Sequence, residues 1–273
     1  MRYFILLLLF CTPALLKAQT NCDLYTDKAH KNACLLYQQA IEYNQGSRES
    51  QLLFQRSLQA CPTFGPSLHE MSVPYLKQGD FYNWKQLMDR AVNADPKWLA
   101  DRGWCLFKFL RDYQNSFNDL KRLYDIAKGQ PGYSSDGDYD LRIIMALNQR
   151  YMGNYNLSLK YFKECIADHE KKNWVGLYDY LHLGVTHLLA QDYKGAIADL
   201  QRETKKYEKL ADTYYYLGLC YKKMGQPKKA KEQFIKAKTL FTKTGYHRND
   251  PYCEEPDQVY LSDIERELGK FGR

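Results

Sequence analysis

From residue 31 onward, apolar side chains recur three and four residues apart in short runs separated by polar, turn-forming stretches. That spacing lines one face of a helix, so the pattern predicts an all-α chain built of short helical hairpins. The helix-like segments Phe54 to Ala60 and Leu87 to Ala94 are followed by Pro62 and Pro96, which lie 34 residues apart. Proline cannot continue a helix, so each marks the end of a unit. Two stretches break the pattern. Residues 129–138 are rich in Gly, Ser and Asp and read as a loop that separates two halves and acts as a hinge. Residues 245–256 read as an irregular linker, after which Leu261, Ile264, Leu268 and Phe271 are spaced 3, 4 and 3. These form an amphipathic helix with Asp257 as its expected cap, suited to covering the end of the last hairpin.

The hairpins repeat. Tyr214, Leu217, Gly218, Tyr221, Ala230 and Phe234 are spaced 3, 1, 3, 9 and 4, and a shift of 34 residues lands on Tyr180, Leu183, Gly184, His187, Ala196 and Leu200. A 34-residue period with an aromatic, a Leu-Gly pair, a second aromatic, a small residue and an apolar one resembles the tetratricopeptide repeat family. Units fall at 31–64, 65–98, 99–138, 139–176, 177–210 and 211–244. The unit at 139–176 carries four extra residues around Asp168 to Asn173, and the first helix of the unit at 99–138 looks two residues short. Repeats 1–3 (31–138) are degenerate, repeats 4–6 (139–244) are clearer, 19–30 is an N-terminal extension, and 245–273 is linker and capping helix. A single hairpin cannot bury its own apolar face, so the resemblance implies a right-handed solenoid with a concave surface.

The resemblance further implies a wall for a peptide or partner protein on the first helices of repeats four to six. Its expected members are Asp140, Ile143, Leu147, Arg150, Tyr151, Tyr178, Leu181, His182, Val185, Asp212, Tyr215, Tyr216, Leu219 and Lys222. Their mix of aromatic, aliphatic and charged groups suits a peptide groove with a few dominant contacts, Tyr178 and Tyr215 foremost. Family members that clamp a C-terminal carboxylate use Lys, Asn and Arg on first helices; here the corresponding positions include Leu35, Gln39, Glu70, Asp140 and Ile144, so that clamp is absent.

The first residues change the picture of where this protein works. Met1, Arg2 and Tyr3 precede an apolar run from Phe4 to Phe10, and the segment ends Lys17, Ala18, the layout of a cleavable leader with its cut at Ala18/Gln19. The run is interrupted at Thr12 and Pro13 and is too short for a spanning helix, so the mature chain is expected to be periplasmic or secreted, with no membrane span. Loss of residues 1–18 removes Arg2 and Lys17 and lowers the formal charge from +7 to +5. The excess is scattered, which argues against nucleic acid. Seven cysteines then remain in an oxidising compartment. The start of a hairpin's first helix and the end of its second share an edge, so one disulfide is expected among Cys22, Cys34 and Cys61. Cys105 and Cys165 occupy core positions.

No paired acids, nucleophile with base, metal-ligand cluster or phosphate loop stands out. His182 and His187 are five apart and do not share a helical face, and Asp250, Glu254, Glu255 and Asp257 read as a solvated acidic linker. No enzyme activity, metal or cofactor is therefore expected. The leading function is a scaffold or adaptor that binds a polypeptide in the cell envelope; the alternatives are a structural subunit of an envelope complex and a regulator of a partner enzyme.

Overall fold

A computed structural model describes residues 20–271. The leader read in residues 1–18 lies outside the described residues. Among those described there are thirteen α-helices and no strand. They are α1 (Lys28–Ala40), α2 (Arg48–Ala60), α3 (Gly65–Lys77), α4 (Phe81–Ala94), α5 (Leu99–Cys105), α6 (Tyr113–Ile126), α7 (Leu141–Tyr151), α8 (Tyr155–Lys171), α9 (Asp179–Leu189), α10 (Tyr193–Lys206), α11 (Ala211–Lys223), α12 (Pro227–Thr239) and α13 (Leu261–Gly269). From α1 to α12, consecutive helices pack in pairs, one pair per predicted repeat.

The turn inside each pair has a common construction. A residue in the left-handed region is followed by a cap for the second helix: Gly46–Ser47, Gly79–Asp80, Arg111–Asp112, Gly153–Asn154, Gln191–Asp192 and Gly225–Gln226. Asp80, Asp112 and Asp192 each accept the backbone N–H three residues on, which satisfies one of the orphan donors of the new helix. Small residues bring the paired helices together. A Cβ at Gly218 would meet the Phe234 ring at 2.5 Å, and one at Gly184 would meet Leu200 at 2.7 Å.

The chain divides into two compact units between Asp95 and Pro96. The first contains α1 to α4. Cys22 and Cys34 are joined in a disulfide with Cα atoms 5.5 Å apart, and Cys61 is a buried free thiol in the same small cluster, beside Ala33 and Phe64. The second unit contains α5 to α13. The boundary does not fall at residues 129–138, where the sequence suggested a hinge: that loop is tied down within the second unit. Leu141 N–H donates to the Gly132 carbonyl at 3.0 Å, Lys108 pairs with Asp136 at 3.3 Å, and Tyr133 bridges to Asp140.

Two irregular repeats keep the packing by local adjustment. The short first helix of repeat three has seven residues and runs on into a π-turn, Leu106–Leu110, which carries Leu106 and Phe107 into the core. In repeat four the extra residues lengthen α8 to 17 residues, against 14 in α10 and 13 in α12. At the far end α13 caps the last pair, with the Phe271 ring 6.2 Å from that of Phe234 and Lys238 paired to Glu265 at 2.7 Å. Its cap is not Asp257: the helix starts at Leu261, and the Asp263 carboxylate accepts the Tyr260 N–H at 3.1 Å.

Candidate functional site

The fourteen residues expected to line an open wall on α7, α9 and α11 are placed differently. Ile143, Leu147, Leu181, Val185 and Tyr215 are core, the last with its ring 5.7 Å from Phe234. Tyr216 and Leu219 are partly buried against the same core. Asp140 caps α7, accepting the Arg142 N–H at 2.8 Å. Tyr151 is 40 % exposed and stacks on Tyr113 at 4.5 Å. The remaining five, Arg150, Tyr178, His182, Asp212 and Lys222, are engaged by the chain's own C-terminal segment. The expectation of an open groove is thereby corrected, because the stretch taken for a solvated acidic linker lies over these helices instead.

The physical reason is charge. Arg150 is buried on the first-helix face and needs a counter-charge there, and His182 beside it needs a hydrogen-bond acceptor; Asp257 supplies both. Its carboxylate lies 2.8 Å from Arg150 and 2.6 Å from His182 Nδ1. Burial alone would raise the Asp257 carboxyl, but the Arg150 charge and the His182 hydrogen bond hold it at about 2. His182 is pushed below the ordinary imidazole value by burial, so at neutral pH its Nδ1–H donates as a neutral ring. Two residues earlier, Glu255 accepts from the Tyr139 hydroxyl at 3.1 Å and pairs with Lys108 at 3.2 Å and Arg248 at 2.8 Å. Arg248 lies with its guanidinium 3.7 Å from the Tyr178 ring centroid and also donates to the Tyr139 hydroxyl.

Asp212, at the start of α11, closes the arrangement. One carboxylate oxygen accepts the Arg248 N–H and the other the Val259 N–H, both at 2.9 Å. Residues 248–259 thus form a compact loop with both ends pinned to one buried carboxylate. Burial raises the Asp212 carboxyl to about 6 in spite of those two donors. Further along, Lys222 pairs with Glu267 of α13 at 2.5 Å.

Residues 211–243 match the tetratricopeptide repeat. The chain carries a tetratricopeptide repeat there. Its fold is similar to that of YrrB, described as a repeat protein of this family with an unusual peptide-binding site (TM-score 0.53, 13 % identity, covering 70 % of this chain and 93 % of that one). It is also similar to PilF of Pseudomonas aeruginosa (0.59, 11 %, 90 % and 99 %) and to PilW, a type IV pilus biogenesis factor (0.59, 18 %, 88 % and 98 %). No curated protein matches the sequence.

One buried cluster in this repeat protein has the outline of a nucleophile, a base and an orienting acid. The lengthened α8 brings His169 between α7 and α9, with Nδ1 2.8 Å from Asp179, Nε2 3.2 Å from Asp140 and the Cys165 thiol 3.6 Å from Nε2. Burial works against the imidazolium, but the two carboxylates outweigh it and raise His169 to about 9. Burial and the adjacent Asp140 push the Cys165 thiol far above its ordinary range. With both ring nitrogens facing carboxylates and the sulfur protonated, His169 takes no proton from Cys165, and the cluster acts as a clamp joining α7, α8 and α9. Arg142 takes up the remaining charge of Asp140 at 2.8 Å.

The acidic group of Asp250, Cys253 and Glu255 is neutralised in the same way by Lys108, 3.1 Å from Asp250. Sequence reasoning missed Lys108, Tyr139, Arg248 and Glu255 as members of this site. The pairing of a basic first-helix face with a late acidic stretch was the available signal. His187 is buried, as its aromatic-type position suggested. Among the described residues no helix is long and apolar enough to cross a membrane.

Proposed function

We propose that this chain is a non-catalytic scaffold of the cell envelope that captures a partner polypeptide. The observation that carries the reading is the stack of helix pairs whose first-helix face in the second unit already holds a non-helical stretch of polypeptide, residues 248–259. It presents the chemistry a peptide needs: aromatic faces, paired charges and an acceptor for main-chain N–H groups. The leader-like N-terminus and the Cys22–Cys34 disulfide support an oxidising compartment. The peptide-binding site described for YrrB supports polypeptide as the ligand class in this fold. Photo-crosslinking from Tyr151, which is exposed at the edge of the α7 face, tests capture in intact cells. The expected result is one stoichiometric polypeptide partner together with mature protein whose mass begins at Gln19. Recovery of intact leader in the cytosol, or crosslinks to no polypeptide, would overturn the reading.

A further inference from the structure

The loop at 248–259 has the properties of a ligand more than those of a core element. Its fifteen-residue surroundings from 246 to 260 bury two apolar side chains, Pro256 and Val259, whereas a repeat helix such as α9 is buried along most of its length. The contacts that seat it are polar: Glu255 on Lys108 and Tyr139, Asp257 on Arg150 and His182, and two main-chain N–H groups on Asp212. The two acids flank Pro256 in a turn at residues 256–257, and both carboxylates meet cations there. The backbone contacts to Asp212 are blind to sequence, so another chain can make them.

The seat is also imperfect. Arg150 Nε, His182 Nε2, Arg248 Nε and Arg248 Nη1 are buried with no hydrogen-bond partner among the described residues. Asp257 holds φ at +60°, a left-handed conformation unusual for a residue other than glycine. Orphaned polar atoms and backbone strain both oppose the seated state, so a segment that relieves them competes with the loop. Release also rehydrates Arg150 and His182, which removes the cost of leaving them buried and unpaired. Meanwhile Ile264, Phe271 and the Lys222–Glu267 pair keep α13 on the last repeat, so the loop stays tethered and returns when the competitor leaves.

We propose that the face of α7, α9 and α11 recognises a partner segment carrying two carboxylates two residues apart followed by an apolar side chain, and that residues 248–259 occupy this face until such a segment displaces them. The proposal rests on the scaffold reading and assigns it a surface and a ligand chemistry. The test uses the full mature chain and a fluorescent peptide of residues 247–260. The double variant Glu255→Gln, Asp257→Asn is expected to bind this peptide at least tenfold more tightly than the wild type does, because its own loop competes less well. The same peptide with both acids amidated is expected to bind the variant at least tenfold more weakly. Equal affinity of the acidic and amidated peptides, or no binding to a variant of intact helix content, would overturn the proposal.

Hydrogen exchange on the wild type decides the matter should the variant unfold. The Arg248 and Val259 amides are expected to exchange at least a hundredfold faster than those of Leu183 and Val185. Exchange at the rate of the α9 amides would make the loop a permanent part of the core and end the idea. Capture of a partner in the crosslinking experiment alongside such a result would leave the scaffold reading standing and remove only this surface.

Discussion

Glu203 on α10 has no exposed surface, and neither carboxylate oxygen has a hydrogen-bond partner among the described residues. Burial and the neighbouring Asp179 carry its pKa from an ordinary 4.5 to about 9. A raised carboxyl pKa is a penalty on the folded state: absent below pH 4.5, growing as the unfolded chain ionises, and complete above about 9. At pH 7 the gap of two and a half units, at 1.36 kcal/mol each, corresponds to about 3 kcal/mol. Glu203→Gln keeps the shape and removes the ionisation. The variant is expected to match the wild type at pH 4 and to exceed it by about 3 kcal/mol at pH 7, with a larger gap at pH 9. Urea unfolding followed by circular dichroism at the three pH values measures this, and an unchanged m-value excludes a shift in the unfolded state. Equal stability at pH 7, or a gap that widens toward acid, would refute the assignment of a neutral buried carboxyl.

Three further outcomes are expected. His169, raised to about 9 by Asp140 and Asp179, contributes stability that is complete below 6.5 and lost as pH rises through 9, so His169→Gln should cost about 3 kcal/mol at pH 6 by urea unfolding, with the difference shrinking at pH 10. Tyr215→Ala should lower global stability by about 3 kcal/mol, as loss of a core ring does, whereas Tyr178→Ala should mainly speed amide exchange in residues 246–260 by removing the ring beneath Arg248; equal effects on both readouts would refute this division. Gln191 holds φ at +63° where Gly153 and Gly225 stand in neighbouring repeats, so Gln191→Gly should raise stability by about 1 kcal/mol in urea unfolding, and a loss would show that its side chain makes a compensating contact.

The repeat was legible because its determinants are local and recur. Gly184 and Gly218 permit the same helix approach 34 residues apart, and the turn plus aspartate cap is written in adjacent residues. Local reading failed where the partners are distant. Asp250 meets Lys108 across 142 residues, Asp257 meets Arg150 across 107, and no periodicity links them. An acidic, proline-containing stretch with no helical period therefore reads as solvated linker, although its carboxylates are drawn into the structure by cations on helices far upstream.

The sequence did hold one sign that the wall was covered. In α7, Ile143, Ile144, Met145, Ala146 and Leu147 follow one another without a polar residue, which makes the helix apolar nearly all round. Such a helix is buried on every side, and all residues from Leu141 to Arg150 are. A face that is apolar and also carries Arg150 requires a cover that supplies a carboxylate, since an unpaired buried guanidinium is too costly to keep. Residues 250–257 provide acids within reach of that face through the tether of α12. Amphipathic periodicity identifies which helices pair; the charge left over on an otherwise apolar face identifies what must come to lie on it.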